Sequence, residues 1–173
     1  MNIRRRTLVF GILLMSVFIM PWVAQGQQTD VEGWGKVTWG MTMAEVKKAY
    51  PEAYPVNLPD KTVKLQTQGP VISGYPFLVN FSFDSAGRLT KIGLRLSDDN
   101  QATDTTFQTL EKRLISKYGM PAKKDQNTGP TGSIHSVVTW ICPSTIIELH
   151  LMNVMDKIKI LTILYNQVST HGL

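Results

Sequence analysis

One order of local signals runs through this chain twice. A short amphipathic helix followed by three extended segments occupies residues 42 to 97, and the same order returns from 104 to 166. A helix with one apolar stripe and a sheet with one apolar face must bury both, and neither half is thick enough to do so alone. The expected architecture is therefore α+β: tandem α-β-β-β units, about 33–97 and 104–166, forming an antiparallel sheet, continuous or split in two, with two helices packed on one face. Internal duplication is the economical account of the repeated order, although few residues are identical between the halves. The interior has to be held by hydrophobic burial, because a single Cys permits neither an internal disulfide nor a paired-Cys zinc site. A hydrophobic fraction of 43% against 18% charged suffices for such a core and excludes a disordered or collagen-like chain.

The elements are set by local chemistry. Thr42 followed by Glu45 is a capping box, with Met41 and Val46 placed as its hydrophobic staple, so a helix starts there. It buries Val46, Ala49 and Tyr50, and Pro51 ends it near Tyr50 or Ala53. Residues 61–67, 77–83 and 88–96 then alternate with period two, as half-buried strands do. Asp84-Ser85-Ala86-Gly87 is turn chemistry and makes the last two an antiparallel hairpin. Residues 69–76 read as a loop or a sheet edge, because Pro70 and Pro76 lack the amide that a central strand donates. From Asp104 to Tyr118, Phe107, Leu110, Leu114 and Tyr118 follow the helical period, with Asp104 or Thr105 at the start and Gly119 just past the end. Residues 123–132 read as a loop, and 134–142, 146–153 and 157–166 as a three-strand meander.

The amino terminus carries an address. Residues 1–26 combine Arg4, Arg5 and Arg6 with an apolar run from Leu8 to Met20 and small residues at Ala24 and Gly26, the pattern of a cleaved signal peptide. That run is shorter than the roughly 20 residues that cross a bilayer, and no Cys follows it to take a lipid. The expectation is an exported product, periplasmic or secreted, made of residues 27–173 as a single domain with no membrane anchor after signal cleavage. Without the three signal arginines the net charge of +5 falls to +2. The remaining basic pairs form no stripe with interleaved aromatics, which argues against nucleic-acid binding.

Candidate chemistry lies mostly in the second half, at His135, Cys142, Glu148 and His150, with His171 in the tail. If Pro143-Ser144 is the turn, Cys142 faces Thr145 and His150 falls opposite Val137, about 15 Å away along the hairpin. Proton transfer needs about 3 Å, so a thiol-hydrolase pair is not expected. The same register puts His135 diagonal to His150, with Glu148 two residues away on the same face, where either a metal site or a polar solvent face can be drawn. Asp98, Asp99 and Asp104 read as a loop leading into a helix cap.

Two features point to binding. The strand over 158–165 is apolar on both faces, with Ile158, Ile160 and Leu164 on one and Leu161, Ile163 and Tyr165 on the other. It is either central and covered twice or half exposed at an interface. Trp34, in a glycine-flanked lead, is placed either to anchor a partner or to pack on its own domain. The candidate partner-binding residues are therefore Trp34, Leu161, Ile163 and Tyr165.

The stretch Trp39-Gly40-Met41-Thr42-Met43-Ala44-Glu45-Val46 resembles the Gly-Met-Thr opening of the small bacterial envelope proteins grouped with the outer-membrane assembly lipoprotein BamE (the SmpA/OmlA family). More remotely, it is similar to the beta-lactamase-inhibitor-protein-like fold. The resemblance implies a short helix-bearing segment ahead of a small antiparallel sheet, a unit that the inhibitor-like fold repeats. The chain departs from the assembly family in lacking a lipid-anchoring Cys and in carrying Tyr50-Pro51 where that family has a Gly, and no functional residue is carried over.

The functional expectation is an exported, non-catalytic binding or adaptor domain whose partner is another envelope protein, with no cofactor and no catalytic residue. The alternative is a small hydrolase or metal-dependent enzyme using His135, Glu148 and His150.

Overall fold

A computed structural model of the chain describes residues 30–59, 62–129, 132–155 and 157–168. The signal peptide expected over 1–26, and His171, lie outside the described residues. The elements in chain order are β1 (Gly33–Trp34), β2 (Val37–Thr38), α1 (Met43–Ala49), β3 (Tyr54–Asn57), β4 (Val63–Ile72), β5 (Tyr75–Phe83) and β6 (Leu89–Leu96), followed by α2 (Asp104–Tyr118), β7 (Lys123–Thr128), β8 (Ile134–Ile141), β9 (Thr145–Val154) and β10 (Ile158–Gln167). The fold is α+β. One eight-stranded sheet runs in the order β3-β4-β5-β6-β10-β9-β8-β7, and every pair in it is antiparallel.

Each helix is followed by four strands rather than the three that periodicity indicates. The additional strands, β3 and β7, are the two edges of the sheet. Their sequences, YPVN and KKDQNT, carry no apolar alternation because an edge strand over little core needs none. Residues 123–128 are thus a strand and not a loop, held by pairing from Lys123 with Thr139 through Thr128 with Ile134. Lys123 and Lys124 on this edge are ion-paired, the first with Asp125 at 2.8 Å and the second with Glu111 of α2.

The helix boundaries follow their caps. The Thr42 hydroxyl accepts from the Glu45 amide at 3.3 Å, and the Glu45 carboxylate accepts from the Thr42 amide at 2.7 Å. The start of α2 is capped by Thr103, whose hydroxyl accepts from the Thr106 amide at 3.2 Å, rather than by Asp104 or Thr105. Gly119 closes α2 at φ 82°, a conformation that favours glycine. Strand β4 passes straight through Gly69 and Pro70 with a register shift between Gln68 and Val71. Pro70 is tolerated because β3 pairs only with residues 63–66, so beyond them β4 has no neighbour on that side. Ser73 and Gly74, at φ 53° and 88°, turn the chain into β5 with the two left-handed residues of a tight hairpin.

Side chains alternate across the sheet, and one face holds the core. Leu65, Phe81, Ile92, Tyr165, Ile147 and Trp140 form one continuous buried row across six strands. Val46 of α1 and Phe107, Leu110 and Leu114 of α2 belong to the same apolar cluster. The two halves meet where β6 pairs with β10, Leu94 opposite Ile163 and Ile92 opposite Tyr165. The opposite face carries Gln66, Asn80, Leu164, Glu148 and Thr139 in register, all half-buried, and neither helix packs its buried residues there.

The segment ahead of α1 fastens to both halves. The Asp30 carboxylate accepts from the Ser144 amide at 2.8 Å and its hydroxyl at 2.6 Å, the Thr145 hydroxyl donates to the Val31 carbonyl, and the Gly40 amide donates to the Leu89 carbonyl at 2.9 Å. This lead positions Trp34.

Candidate functional site

Two arrangements of side chains among the described residues are candidates for a site. The first is a cleft beside α2. Trp34 and Gly35 of the lead, residues 70–73 at the tip of the β4–β5 hairpin, Leu110, Arg113, Leu114 and Lys117 of α2, and Ile163 and Tyr165 of β10 line a cavity of about 600 Å³. That volume lies within the range of small-ligand pockets, roughly 300–1,000 Å³. Its floor is apolar, and its cations sit at i and i+4 on one face of the helix. No carboxylate among the described residues pairs with Arg113 or Lys117; the Lys117 ammonium lies 4.9 Å from the centre of the Tyr118 ring.

The wall made by Trp34 is firmly placed. Its ring stacks on Tyr50 at 6.4 Å, and Tyr50 in turn meets Phe81 at 5.2 Å. The Tyr50 hydroxyl accepts from the Lys36 amide at 3.2 Å, which fixes the glycine-flanked turn beside Trp34. At the inner end, the Tyr118 and Tyr165 hydroxyls hydrogen-bond at 3.2 Å. Burial above all, and then the neighbouring Tyr118, push the Tyr165 phenol well above its ordinary value, so it stays a neutral donor or acceptor.

The four residues that the sequence marks for partner contact are not one surface. Trp34 packs on its own domain and is half-buried at the cleft. Leu161, Ile163 and Tyr165 are 0%, 1% and 3% exposed, so of the two placements open to this strand it takes the central one, with these three side chains covered. They belong to the core face of β10, a central strand between β6 and β9, and only Ile163 and Tyr165 reach the cleft. The apolar residues of β10 on the open face are the other set, with Ile160 and Leu164 half-buried and Ile158 52% exposed. Period-two alternation sorts residues into two faces without saying which one the helices cover. The lining from α2 and the hairpin tip carries no sequence signal, since it depends on elements brought together across the sheet.

The second arrangement is on the open face. Val137 pairs with His150 in the β8–β9 register, so His135 lies diagonal to His150 on the same face. His135 Nε2 and His150 Nδ1 are 3.0 Å apart, with ring centroids at 5.2 Å and planes 27° apart. On the far side of the His150 ring, Nε2 lies 3.3 Å from Glu148 Oε2 but has no hydrogen bond in line, and the Asn166 amide donates to the same oxygen at 3.2 Å. Burial is the main cause that pulls the His150 pKa below its ordinary value, against the raising effect of Glu148. The three groups form a row, Glu148 to His150 to His135, and do not converge on a point: no three His, Cys, Asp or Glu among the described residues are grouped to hold a metal. Cys142 shares the buried face with Val138 and Trp140, on the other side of the sheet from His150, and burial raises its thiol pKa. Those two side chains are not brought together.

Comparison with known protein families, with curated proteins and with solved structures gave no match. Among the described residues no helix is long and apolar enough to cross a membrane.

Proposed function

We propose that this chain is an exported, non-catalytic binding domain and that the cleft beside α2 is where it receives its partner. The occupant is an apolar group ending in an acidic one, presented by another envelope component. The observation that carries this reading is the cleft's composition: accessible apolar surface on Trp34, Val71 and Ile72 beside two cations, Arg113 and Lys117, that no carboxylate among the described residues neutralises. Apolar surface draws in the body of such a ligand, and the cations fix its charged end. Export rests on the residue pattern over 1–26. The mirrored strand order around the β6–β10 seam, with a helix ahead of each set of four strands, supports a further part of the proposal: the fold is an internal repeat whose two units share one interior.

A fluorescence titration tests the cleft. Dodecanoate added to the mature domain should give a saturable change in tryptophan emission through Trp34, and dodecanol should bind at least about tenfold more weakly. The double variant Arg113→Glu, Lys117→Glu, both positions exposed, should fold normally and lose about tenfold or more in dodecanoate affinity while leaving dodecanol unchanged. No saturable signal with either compound removes the cleft from the proposal.

A further inference from the structure

We propose that His135 and His150 form a two-nitrogen site for a divalent transition metal, copper(II) foremost, on the open face of the sheet, with Glu148 as the outer partner that orients His150. The inference is independent of the cleft. It starts from the register: pairing of Val137 with His150 places His135 one diagonal step away, and the two ring nitrogens meet at 3.0 Å. Two nitrogens each about 2.0–2.1 Å from a metal, at the right angle of a square or octahedral shell, are about 2.9 Å apart. The pair therefore stands near the spacing of adjacent ligands, and when both nitrogens turn to a metal the proton that now bridges them moves to His135 Nδ1 or is released.

The far side of His150 decides which nitrogen is free. Glu148 Oε2 lies 3.3 Å from His150 Nε2, and although the two are not aligned as a hydrogen bond, the nearby carboxylate charge favours the proton on Nε2 and leaves the Nδ1 lone pair facing His135. Asn166 holds that carboxylate at 3.2 Å, so the orienting group is itself fixed. A carboxylate on the distal nitrogen of a metal-binding imidazole is the usual outer-shell device for setting tautomer and ring angle. Glu148 thus has a role although it does not converge with the two rings.

The rest of the face says which metal. Among the described residues only these two imidazoles supply strong donors there, so the remaining positions go to water and the site is an exchangeable one. Nitrogen donors with no imposed tetrahedral set bind copper(II) most tightly among the divalent first-row ions.

The test is a titration of the mature protein with copper(II) and, separately, zinc(II), followed by calorimetry and, for copper, electron paramagnetic resonance. The expected result is one saturable equivalent of copper with nitrogen hyperfine structure, and zinc binding weaker by about tenfold or more. His135→Gln and His150→Gln should each abolish the step while the melting temperature without metal shows the domain still folded. Glu148→Gln should weaken copper by about 10–100-fold and keep the stoichiometry. Absence of a saturable equivalent, or a step that survives in the folded His135→Gln protein, overturns the site. An unchanged affinity in Glu148→Gln overturns the role given to Glu148.

Discussion

The Trp39 indole donates to the Thr145 hydroxyl at 2.8 Å, across 106 positions of sequence. Thr145 is fully buried, and its own proton goes to the Val31 carbonyl, so a single hydroxyl joins the lead segment to the turn between β8 and β9. Thr145→Val keeps the shape and removes both bonds, which leaves an indole N–H and a carbonyl without partners. We expect a loss of about 2 kcal/mol, the size of leaving buried polar groups unpaired, and Thr145→Ser to recover most of it. Urea unfolding of the two variants checks this, and equal midpoints for valine and wild type contradict it.

The capping box at the start of α1 supports a helix of only seven residues. So short a helix has little propensity to stand on, and its cap carries an unusual share of its stability. Thr42→Ala should cost about 1 kcal/mol in chemical unfolding. Glu45→Gln should cost less, because its amide oxygen still accepts from the Thr42 backbone. A Thr42→Ala midpoint identical to wild type would show that tertiary packing of Val46 alone holds the turn.

Cys142 is 2% exposed, and burial first, with Asp30 second, raises its thiol pKa. The thiolate is the reactive form, so both effects protect it. A thiol reagent at about pH 8 should leave the native protein unlabelled and modify one equivalent in denaturant. Rapid labelling of the native state would place Cys142 at the surface.

His150 supplies an acid-side dependence of stability. Its folded pKa lies below the ordinary 6.5, chiefly through burial, so the unfolded chain binds the proton more readily. Its contribution is complete above the unfolded value and is lost as pH falls through 6.5 towards the folded one. The melting temperature should therefore decline below about pH 6.5, with a shallower decline in His150→Gln. Parallel pH profiles for the two proteins would assign the decline to carboxylates instead.

Much of this was legible in the residues. Thr42 with Glu45 announces α1 because a capping box is closed within four residues, and Phe107, Leu110 and Leu114 announce α2 because one helix face carries them all. The diagonal placement of His135 and His150 was also legible, since the short turn at Pro143-Ser144 sets the register of the β8–β9 hairpin. Strand β7 was not, because Lys123, Lys124 and Asp125 show no alternation and are extended only by pairing with β8. Thr103 does not stand out as the cap of α2 because Asp104 and Thr105 beside it are chemically as able, and the choice between them depends on where the preceding chain arrives.

By itself the sequence determined most of the local states: that two helices form and where the first begins, which residues of a strand share a face, and where the turns after β5 and β8 fall. These are short-range matters of backbone angle, capping and alternation, decided by neighbours a few positions apart. Only the tertiary structure decided that β6 pairs with β10, that the helices cover the face holding Leu161, Ile163 and Tyr165, and that Trp34 meets α2 across a cleft. Those outcomes set segments far apart in the chain against one another, and they are chosen by the burial of the whole apolar surface at once, which no local pattern records.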